Sequence, residues 1–368
     1  MKRVLILGGY GNFGSWIARS LASEPELKLL IAGRSRERAQ SFANSLTVRQ
    51  PAEGHAIDIR RPLDDFLGEL RPDMVIHAVG PFQGQGHGVA EACIRQRCHY
   101  LDLADARSFV AGIRSLDKAA RMNGVLVVSG ASSVPCLTAA VVDEALPRFS
   151  RLEELDYGIS AAQQTNRGLA TASSALSYVG RPFTVLRRGT WQRIFGWQDL
   201  HAERYPELGW RLFGNCDVPD LELFPERYPH LKSMRFCAGH EIKLLHLGAW
   251  LLSWAVRSGV LQPLSVHAER LLKFSFLFDP IGSDRSGFHM IIRGLGADGR
   301  KRDERLFIIA RSGHGPLIPC VPAILLAKRL ARGKLGQRGA LPGLDLIALH
   351  EYLDALADLD IHVIRLTP

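Results

Sequence analysis

Short apolar runs alternate with segments of helical spacing over residues 1–135. The strand-like runs are residues 4–7, 28–32, 55–59, 74–79, 100–103 and 125–129. Between them, apolar residues recur at the spacing of one helix face, as in Ala39, Phe42, Ala43 and Leu46 and again in Phe109, Ile113, Leu116 and Ala120. Because short connections join these strands and helices, the pattern predicts right-handed crossovers and a parallel, doubly wound α/β sheet. We assign this N-terminal domain to residues 1–150.

The pattern changes after about residue 150, where longer irregular stretches carry many Pro and Arg residues. A hairpin is predicted from Phe288–Leu295, a turn at Gly296–Gly299 and a second strand at Arg305–Ala310. Residues 151–332 are therefore predicted as an α+β domain for substrate binding and dimerisation. Residues 333–368 contain a glycine-punctuated loop (333–343), one helix and a strand at 361–366, and we expect them to pack back on both domains.

Composition places the chain among ordinary globular proteins, with 46% hydrophobic and 23% charged residues. The apolar run from Leu244 to Val256 is too short to span a bilayer, which takes about 20 apolar residues, so it predicts a buried or interface helix. The six cysteines show no C-x-x-C spacing and are interpreted as reduced thiols, without a metal site. These features favour a cytoplasmic protein without a transmembrane segment.

The formal net charge of +9 raises the question of nucleic acid binding. However, the arginines are spread along the chain, and the sequence has no helix-turn-helix, zinc-finger or aromatic-basic RNA motif. A basic surface that attracts an anionic cofactor or substrate explains the charge as well. We therefore expect a small-molecule substrate, with an anionic one as an option, and no nucleic acid partner.

A glycine-rich turn follows the first strand in Gly8-Gly9-Tyr10-Gly11-Asn12-Phe13-Gly14. Its G-x-G-x-x-G pattern is weak alone, but here it comes directly after a strand and opens a helix. Gly9 is expected to allow the tight turn, Gly11 to let the backbone approach a diphosphate, and Gly14 to let helix and strand pack closely. Gly8, Asn12 and Phe13 belong to the same turn and helix start, which predicts a dinucleotide-binding Rossmann domain.

The residues after the second strand indicate which dinucleotide binds. Enzymes that use NAD usually place an acidic residue there to bind the ribose 2′-hydroxyl. This chain has Gly33-Arg34-Ser35-Arg36 instead. Arg34 and Ser35 are suited to a 2′-phosphate, so NADP is favoured over NAD.

Two further strand ends are expected to contact the cofactor, because ligands bind outside the carboxyl ends of parallel strands. Asp58 and Ile59, after the third strand, are predicted to flank the adenine. Ala78, Val79, Gly80 and Pro81, after the fourth, are predicted to pass beneath the ribose and nicotinamide.

Several stretches resemble the saccharopine dehydrogenase-like family of NAD(P)-binding oxidoreductases. They are the glycine turn, Ala78-Val79-Gly80-Pro81-Phe82, Ala90–Cys93 leading to His99–Leu103, and Ser129–Pro135, with weaker likeness at 238–241 and 315–319. The resemblance implies a Rossmann domain followed by an α+β domain. It also implies hydride transfer between NADPH and an imine or amine, a carbonyl or an enoyl group in the cleft between the domains. The chain departs from the family pattern at Gly86-His87 and Ala104-Asp105, which argues against saccharopine itself as the substrate.

Hydride transfer usually needs a proton donor or acceptor near the reacting bond. Asp102 lies at the carboxyl end of the fifth strand and is a candidate for a site role, although an N-cap in this segment is an alternative. His87 and His314 are secondary candidates. His314 lies in a glycine-flanked loop, where an exposed surface histidine is the simpler interpretation.

Two alternatives stay open from the sequence. Cys136 follows the sixth strand at a helix start, where a lowered thiol pKa would suit a nucleophile. This is the arrangement of semialdehyde dehydrogenases and acyl-phosphate reductases, although a small buried thiol is the commoner outcome. The other alternative is a non-catalytic NADPH-binding sensor or scaffold. A homodimer is expected in either case.

Overall fold

The computed structural model describes residues 1–366 and divides them into two compact units. Unit 1 comprises residues 1–140 and 317–352, and unit 2 comprises residues 141–316 and 353–366. The chain therefore forms most of unit 1, then most of unit 2, and returns to each unit once near its end.

The first part of the chain contains six strands and seven helices. They are β1 (Lys2–Leu7), α1 (Asn12–Ala22), β2 (Leu27–Gly33), α2 (Arg36–Asn44), β3 (Glu53–Ala56), α3 (Asp64–Leu70), β4 (Met74–His77), α4 (Gly88–Arg95), β5 (His99–Asp102), α5 (Arg107–Gly112), α6 (Asp117–Met122), β6 (Leu126–Ser129) and α7 (Thr138–Ala145).

The remaining described elements follow in chain order. They are β7 (Phe149–Ala161), α8 (Leu169–Ser177), β8 (Pro182–Arg187), β9 (Thr190–Phe195), β10 (His201–Tyr205), β11 (Gly209–Asn215), α9 (Asp220–Arg227), β12 (Ser233–His240), α10 (Lys243–Arg257), α11 (Ala268–Ser275), β13 (Ser286–Gly296), β14 (Lys301–Ala310), α12 (Val321–Ala331), β15 (Gly339–Pro342), α13 (Leu349–Asp354) and β16 (Ile361–Leu366).

Unit 1 is built on a seven-stranded sheet in the order β3-β2-β1-β4-β5-β6-β15, and all neighbours pair in parallel. The strand order reverses between β1 and β4, which is the switch point where ligands bind in doubly wound sheets. Val4, Leu5 and Ile6 are fully buried, as expected for a strand covered by helices on both faces. The predicted parallel Rossmann sheet is confirmed.

Local differences from the prediction have local causes. The expected loop over 333–343 contains β15, a short strand with Gly and Pro that pairs with β6 and gives too little pattern to be recognised. The apolar stripe of Phe109–Ala120 is divided into α5, a 3₁₀ turn at Ile113–Leu116 and α6. The third strand ends at Ala56, earlier than expected.

Unit 2 contains a mixed seven-stranded sheet in the order β10-β11-β12-β7-β13-β14-β16, plus the separate hairpin β8–β9. The pair β7–β12 is parallel and the other neighbours are antiparallel. The predicted hairpin corresponds to β13–β14, and the predicted terminal strand to β16. The α10 helix buries Ala249 and Val256 but leaves Leu244 and Leu251 66% and 61% exposed, so only one of its faces is buried.

The units divide the chain differently from the three predicted segments. Unit 1 ends its first stretch at residue 140 rather than 150. Residues 317–332, which were expected in the second domain, belong to unit 1 because α12 packs against α1. Of the predicted segment 333–368, the part up to residue 352 belongs to unit 1, and the described remainder to unit 2. Within residues 1–366, no helix is both long and apolar enough to cross a membrane.

Candidate cofactor and active site

The glycine turn after β1 is closed by backbone hydrogen bonds to β2 and within itself. The N–H groups of Gly8 and Gly9 both donate to the carbonyl oxygen of Ala32, at 2.9 and 3.0 Å, and Gly11 N–H donates to the carbonyl of Gly8 at 2.8 Å. Gly8 has φ +76°, a left-handed conformation that glycine adopts without strain. The tight turn therefore depends on Gly8, one residue before the glycine that the sequence pattern indicated.

The start of α1 lies directly against this turn. A Cβ atom at Gly14 would lie 2.2 Å from the carbonyl oxygen of Gly8, so no larger residue fits without displacing the helix. Gly11 is the N-cap of α1, and the described chain offers no side-chain cap and no acidic residue in the first turn. The N–H groups and positive dipole end of α1 are thus not neutralised by the helix's own side chains. This arrangement suits an anion such as a diphosphate.

The end of β2 combines basic side chains with an aromatic ring. Ser35 caps α2 by accepting from the N–H of Arg38 at 3.2 Å, and its own N–H donates to the Tyr10 hydroxyl at 3.1 Å. Tyr10 lies so close to Gly33 that a Cβ there would be 2.4 Å from its ring. Arg34 is exposed and forms no ion pair with any described residue. The end of β2 is therefore basic, and no described carboxylate balances the charge of Arg34.

Sequence reasoning missed two members of this group. Tyr10 occupies a variable position between the glycines of the turn, and the guanidinium carbon of Arg38 lies 4.9 Å from the centre of its ring. Because a cation over a tyrosine ring is attracted to it, the Arg38 guanidinium is held over Tyr10, whose hydroxyl accepts from the N–H of Ser35. A basic residue in the first turn of α2 was the only available signal.

The segment that follows β4 contacts the glycine turn directly. Val79 and Ala78 lie against Gly8, since a Cβ there would be 3.0 Å from the Val79 side chain and 3.1 Å from the Ala78 carbonyl oxygen. The Gln85 amide donates to the carbonyl oxygens of Val79 and Pro81, at 2.9 and 2.6 Å, and so fixes the segment that includes Gly80. The structure therefore brings residues 78–81 and the turn together.

Asp58 is already engaged by a neighbour. Arg60 donates to it from the guanidinium and from the backbone N–H, and these hydrogen bonds hold the pKa of Asp58 well below its usual range. The Asp58 carboxylate is thus occupied by Arg60, whose side chain is exposed. Ile59 packs against the apolar core of unit 1.

Asp102 is fully buried at the end of β5 and binds backbone rather than solvent. Its Oδ1 accepts from the N–H groups of Ala104 and Gly130, at 2.9 and 2.8 Å, and from the Ser129 hydroxyl at 3.0 Å. Burial raises the pKa of Asp102 to about 6, while these hydrogen bonds oppose the shift. The side chain therefore holds two loops at the carboxyl edge of the sheet, and it has no exposed surface through which to touch a substrate.

The two histidine candidates lie in different units. His87 precedes α4 in unit 1, and its Nε2 lies 2.8 Å from the Phe109 carbonyl oxygen, with the two rings 4.6 Å apart. His314 lies in unit 2, where its Nδ1 accepts from the N–H of Asp360 at 2.9 Å. Both rings are half-buried and both have a structural partner.

Cys136 lies in the turn at Ser133–Leu137 that leads into α7, as the sequence indicated. Its side chain is buried, with 3% of its surface exposed, and the other five cysteines are buried as well. A buried thiol is poorly placed to attack a substrate, so this position favours the structural interpretation.

Unit 2 contains a cavity of about 430 Å³ with a buried arginine in its wall. Arg211 is 6% exposed, and its Nε has no hydrogen-bond partner in the described chain. Its one acidic contact, with Glu241, is long at 3.4 Å. Glu241 instead accepts from the backbone and hydroxyl of Ser283 and from the N–H of Gln163, which lowers its pKa against the effect of burial. Much of the charge of Arg211 is therefore available to a ligand.

The comparisons with known proteins agree with this geometry. The family model for the saccharopine dehydrogenase NADP binding domain matches residues 4–128. Among solved structures, apo saccharopine dehydrogenase (L-Glu forming) from Saccharomyces cerevisiae is similar with a TM-score of 0.68 at 12% identity, covering 100% of both chains. An amine dehydrogenase from Mycobacterium smegmatis matches with a TM-score of 0.47 at 11% identity, covering 93% of this chain and 94% of that chain.

A search of curated protein sequences finds no significant match. At 12% identity, the likeness to the yeast enzyme shows a shared fold, and the family model identifies the N-terminal domain by sequence. The family model thus identifies residues 4–128 as a saccharopine dehydrogenase-type NADP binding domain, and together with the shared fold it supports an NAD(P)-dependent oxidoreductase.

Proposed function

We propose that this enzyme uses NADP(H) and transfers a hydride between NADPH and a small substrate that carries an imine or amine, a carbonyl or an enoyl group. The observation that carries the cofactor preference is the end of β2. There the exposed Arg34 has no ion pair among the described residues, and no carboxylate takes the position that binds a ribose 2′-hydroxyl. A guanidinium beside the Ser35 hydroxyl suits a 2′-phosphate.

The residues of unit 1 bind and orient the cofactor, while the reduced nicotinamide supplies the hydride. The turn at Gly8–Gly11 and the start of α1 are suited to the diphosphate. The segment 78–81, held by Gln85, is suited to the nicotinamide side because it follows the strand next to β1 at the switch point.

Asp102 is proposed as a positioning residue rather than a proton donor. Its hydrogen bonds to Ala104, Ser129 and Gly130 fix the loops after β5 and β6, which lie at the same sheet edge as the glycine turn. A catalytic role for His87 or His314 stays a prediction, and so does the homodimer, which light scattering of the purified protein would test.

An anionic substrate is supported by the cavity of unit 2. Arg211 is buried, weakly paired and in the cavity wall, and a substrate carboxylate would give it the charged partner that it lacks. We expect Arg211→Met to raise KM for an anionic substrate about tenfold or more and to leave KM for an uncharged analogue unchanged.

The proposal is tested by turnover with the purified protein. NADPH is mixed with imines, aldehydes, ketones and enoyl thioesters, and the loss of nicotinamide absorbance is followed. Turnover of one class, with KM for NADPH raised about tenfold or more in Gly14→Ala and with turnover unchanged in Cys136→Ala, is the expected result. Binding of NADPH without oxidation by any class would contradict hydride transfer and favour a sensor. Loss of turnover in Cys136→Ala with NADPH binding intact would favour an acyl-enzyme route.

A further inference from the structure

The amino-terminal edge of the sheet in unit 1, opposite the cofactor edge, borders a second cavity. Its volume is about 750 Å³, and it is lined at the starts of β1, β4 and β5, after α3 and α4, and before β15. The charged and titratable side chains in its wall are Lys2, Arg71, Asp73, Arg97, His99 and Arg338. Ligands of doubly wound sheets bind at the carboxyl ends of the strands, so this cavity is not accounted for by the cofactor.

Positive charge in this cavity is largely uncompensated. Lys2 pairs with Asp73 at 2.8 Å. The three arginines pair with no carboxylate in the part of the chain that the structure describes, and Arg338 donates only to carbonyl oxygens of its own loop. Burial and the nearby charges of Arg338 and Lys2 together lower the pKa of His99 to about 4. The wall thus has a positive potential that a bound anion would balance.

The backbone at two of these arginines is unusual. Arg71 has φ +43° and Arg97 has φ +53°, and they follow the last residues of α3 and α4 closely. Glycine is the usual residue in a left-handed conformation at a helix end, because it carries no Cβ penalty. The negative end of a helix dipole favours a cation there, which accounts for the sign of the charge. The helix dipole does not explain why two non-glycine residues adopt this left-handed conformation and place their side chains in the wall of one cavity.

We propose that this cavity binds a small phosphorylated molecule carrying at least two phosphate charges, at a site separate from the cofactor. A concave site of this volume is typical of small-molecule ligands, whereas polymers take extended basic surfaces. One guanidinium group can bind two phosphate oxygens at once, and the cavity wall offers three guanidinium groups. The six residues of β1, at about 3.3 Å each, put roughly 20 Å between this edge and the glycine turn.

Calorimetry with inorganic tripolyphosphate and ATP, titrated into the full chain saturated with NADPH, tests this assignment. We expect one site per chain for both probes. Arg71→Gly and Arg97→Gly should each weaken binding about tenfold or more and leave NADPH affinity unchanged. Both variants are expected to fold, because glycine is favoured at these φ values.

Arg188→Gly is the matched control. Arg188 is an exposed arginine of unit 2 with φ +50°, so the substitution removes the same charge from the same backbone conformation outside the cavity. Unchanged probe binding in this variant is expected. The proposal is overturned if neither probe binds, if NADPH displaces them, or if Arg71→Gly and Arg97→Gly bind them as Arg188→Gly does. Binding of an anionic oligonucleotide without binding of tripolyphosphate would also overturn it.

Discussion

The glycine turn after β1 and the basic end of β2 lie at the same edge of one sheet, but they are built from different parts of the chain. The turn is made of backbone, and its contacts leave no room for a Cβ atom at Gly14. The β2 end is made of side chains, and Arg34 is exposed and unpaired with any described residue. The difference indicates that the turn decides whether a dinucleotide binds, while the β2 end decides which one.

The largest expected effect is that of Gly14→Ala. Its Cβ would lie 2.2 Å from the Gly8 carbonyl oxygen, so α1 must move away from the turn. Overpacking of this kind costs about 1–3 kcal/mol, and NADPH and NADH affinities should both fall about tenfold or more. Nicotinamide fluorescence and thermal unfolding measure the two effects.

Gly336→Ala is the matched control for that variant, because a Cβ there meets nothing within 4 Å and its φ is not left-handed. It should change neither affinity nor stability. If Gly14→Ala weakened the binding of only one cofactor, the turn would also take part in cofactor selection, which would contradict the separate roles of the turn and the β2 end.

Arg34→Ala should have the next largest effect and should act on one cofactor only. Losing a charge-assisted contact to the 2′-phosphate costs about 1.5–3 kcal/mol, so NADPH affinity should fall roughly tenfold to a hundredfold while NADH affinity stays the same. The exposed Arg204 of unit 2 gives the control variant Arg204→Ala, which should change neither. An equal loss for both cofactors would show that Arg34 contributes to binding in general rather than to selection.

Tyr10→Phe should have a smaller effect of the same kind. It keeps the ring beside Gly33 and under Arg38 but removes the hydroxyl that accepts from the N–H of Ser35. Loss of one such hydrogen bond costs about 0.5–1.5 kcal/mol, so the preference for NADPH over NADH should fall about twofold to tenfold. Competition binding measures that ratio, and an unchanged ratio would remove Tyr10 from the selecting group.

Asp102→Asn should have the smallest effect on cofactor affinity and a clear effect on stability. The Asp102 pKa is about 6 in the folded protein, against an ordinary value of 3.8. The folded protein therefore binds this proton more tightly, and the wild type should lose roughly 3 kcal/mol relative to the variant as the pH rises from about 4 to above 6. Urea unfolding across that range measures the difference. A difference that does not change with pH would contradict a buried titrating carboxyl.

Unit 1 was largely predictable because its signals are local. A six-residue glycine pattern and a regular alternation of strands and helices determine the sheet order around β1. Tyr10 and Arg38 were missed because a variable position between two glycines carries no periodic signal. The place of β15 was missed because its pairing with β6 joins Gly339 to Leu126, a contact between distant parts of the chain.

Unit 2 was harder to predict because its pairings, like that of β15 with β6, join distant parts of the chain. Its central strand β7 alternates irregularly between buried and exposed positions, and its neighbours β12 and β13 lie far along the chain. The cavity beside Arg211 and the basic cavity of unit 1 also join distant segments, so neither could be read from a local pattern. Asp102 was correctly placed at a strand end, but only the structure reveals its complete burial.

Calorimetric titration of NADPH and NADH into the wild type and Arg34→Ala tests the central claim most directly. The wild type should bind both cofactors with a clear preference for NADPH, and Arg34→Ala should lose the preference while keeping its affinity for NADH. A well-folded wild type that binds neither cofactor would contradict the account.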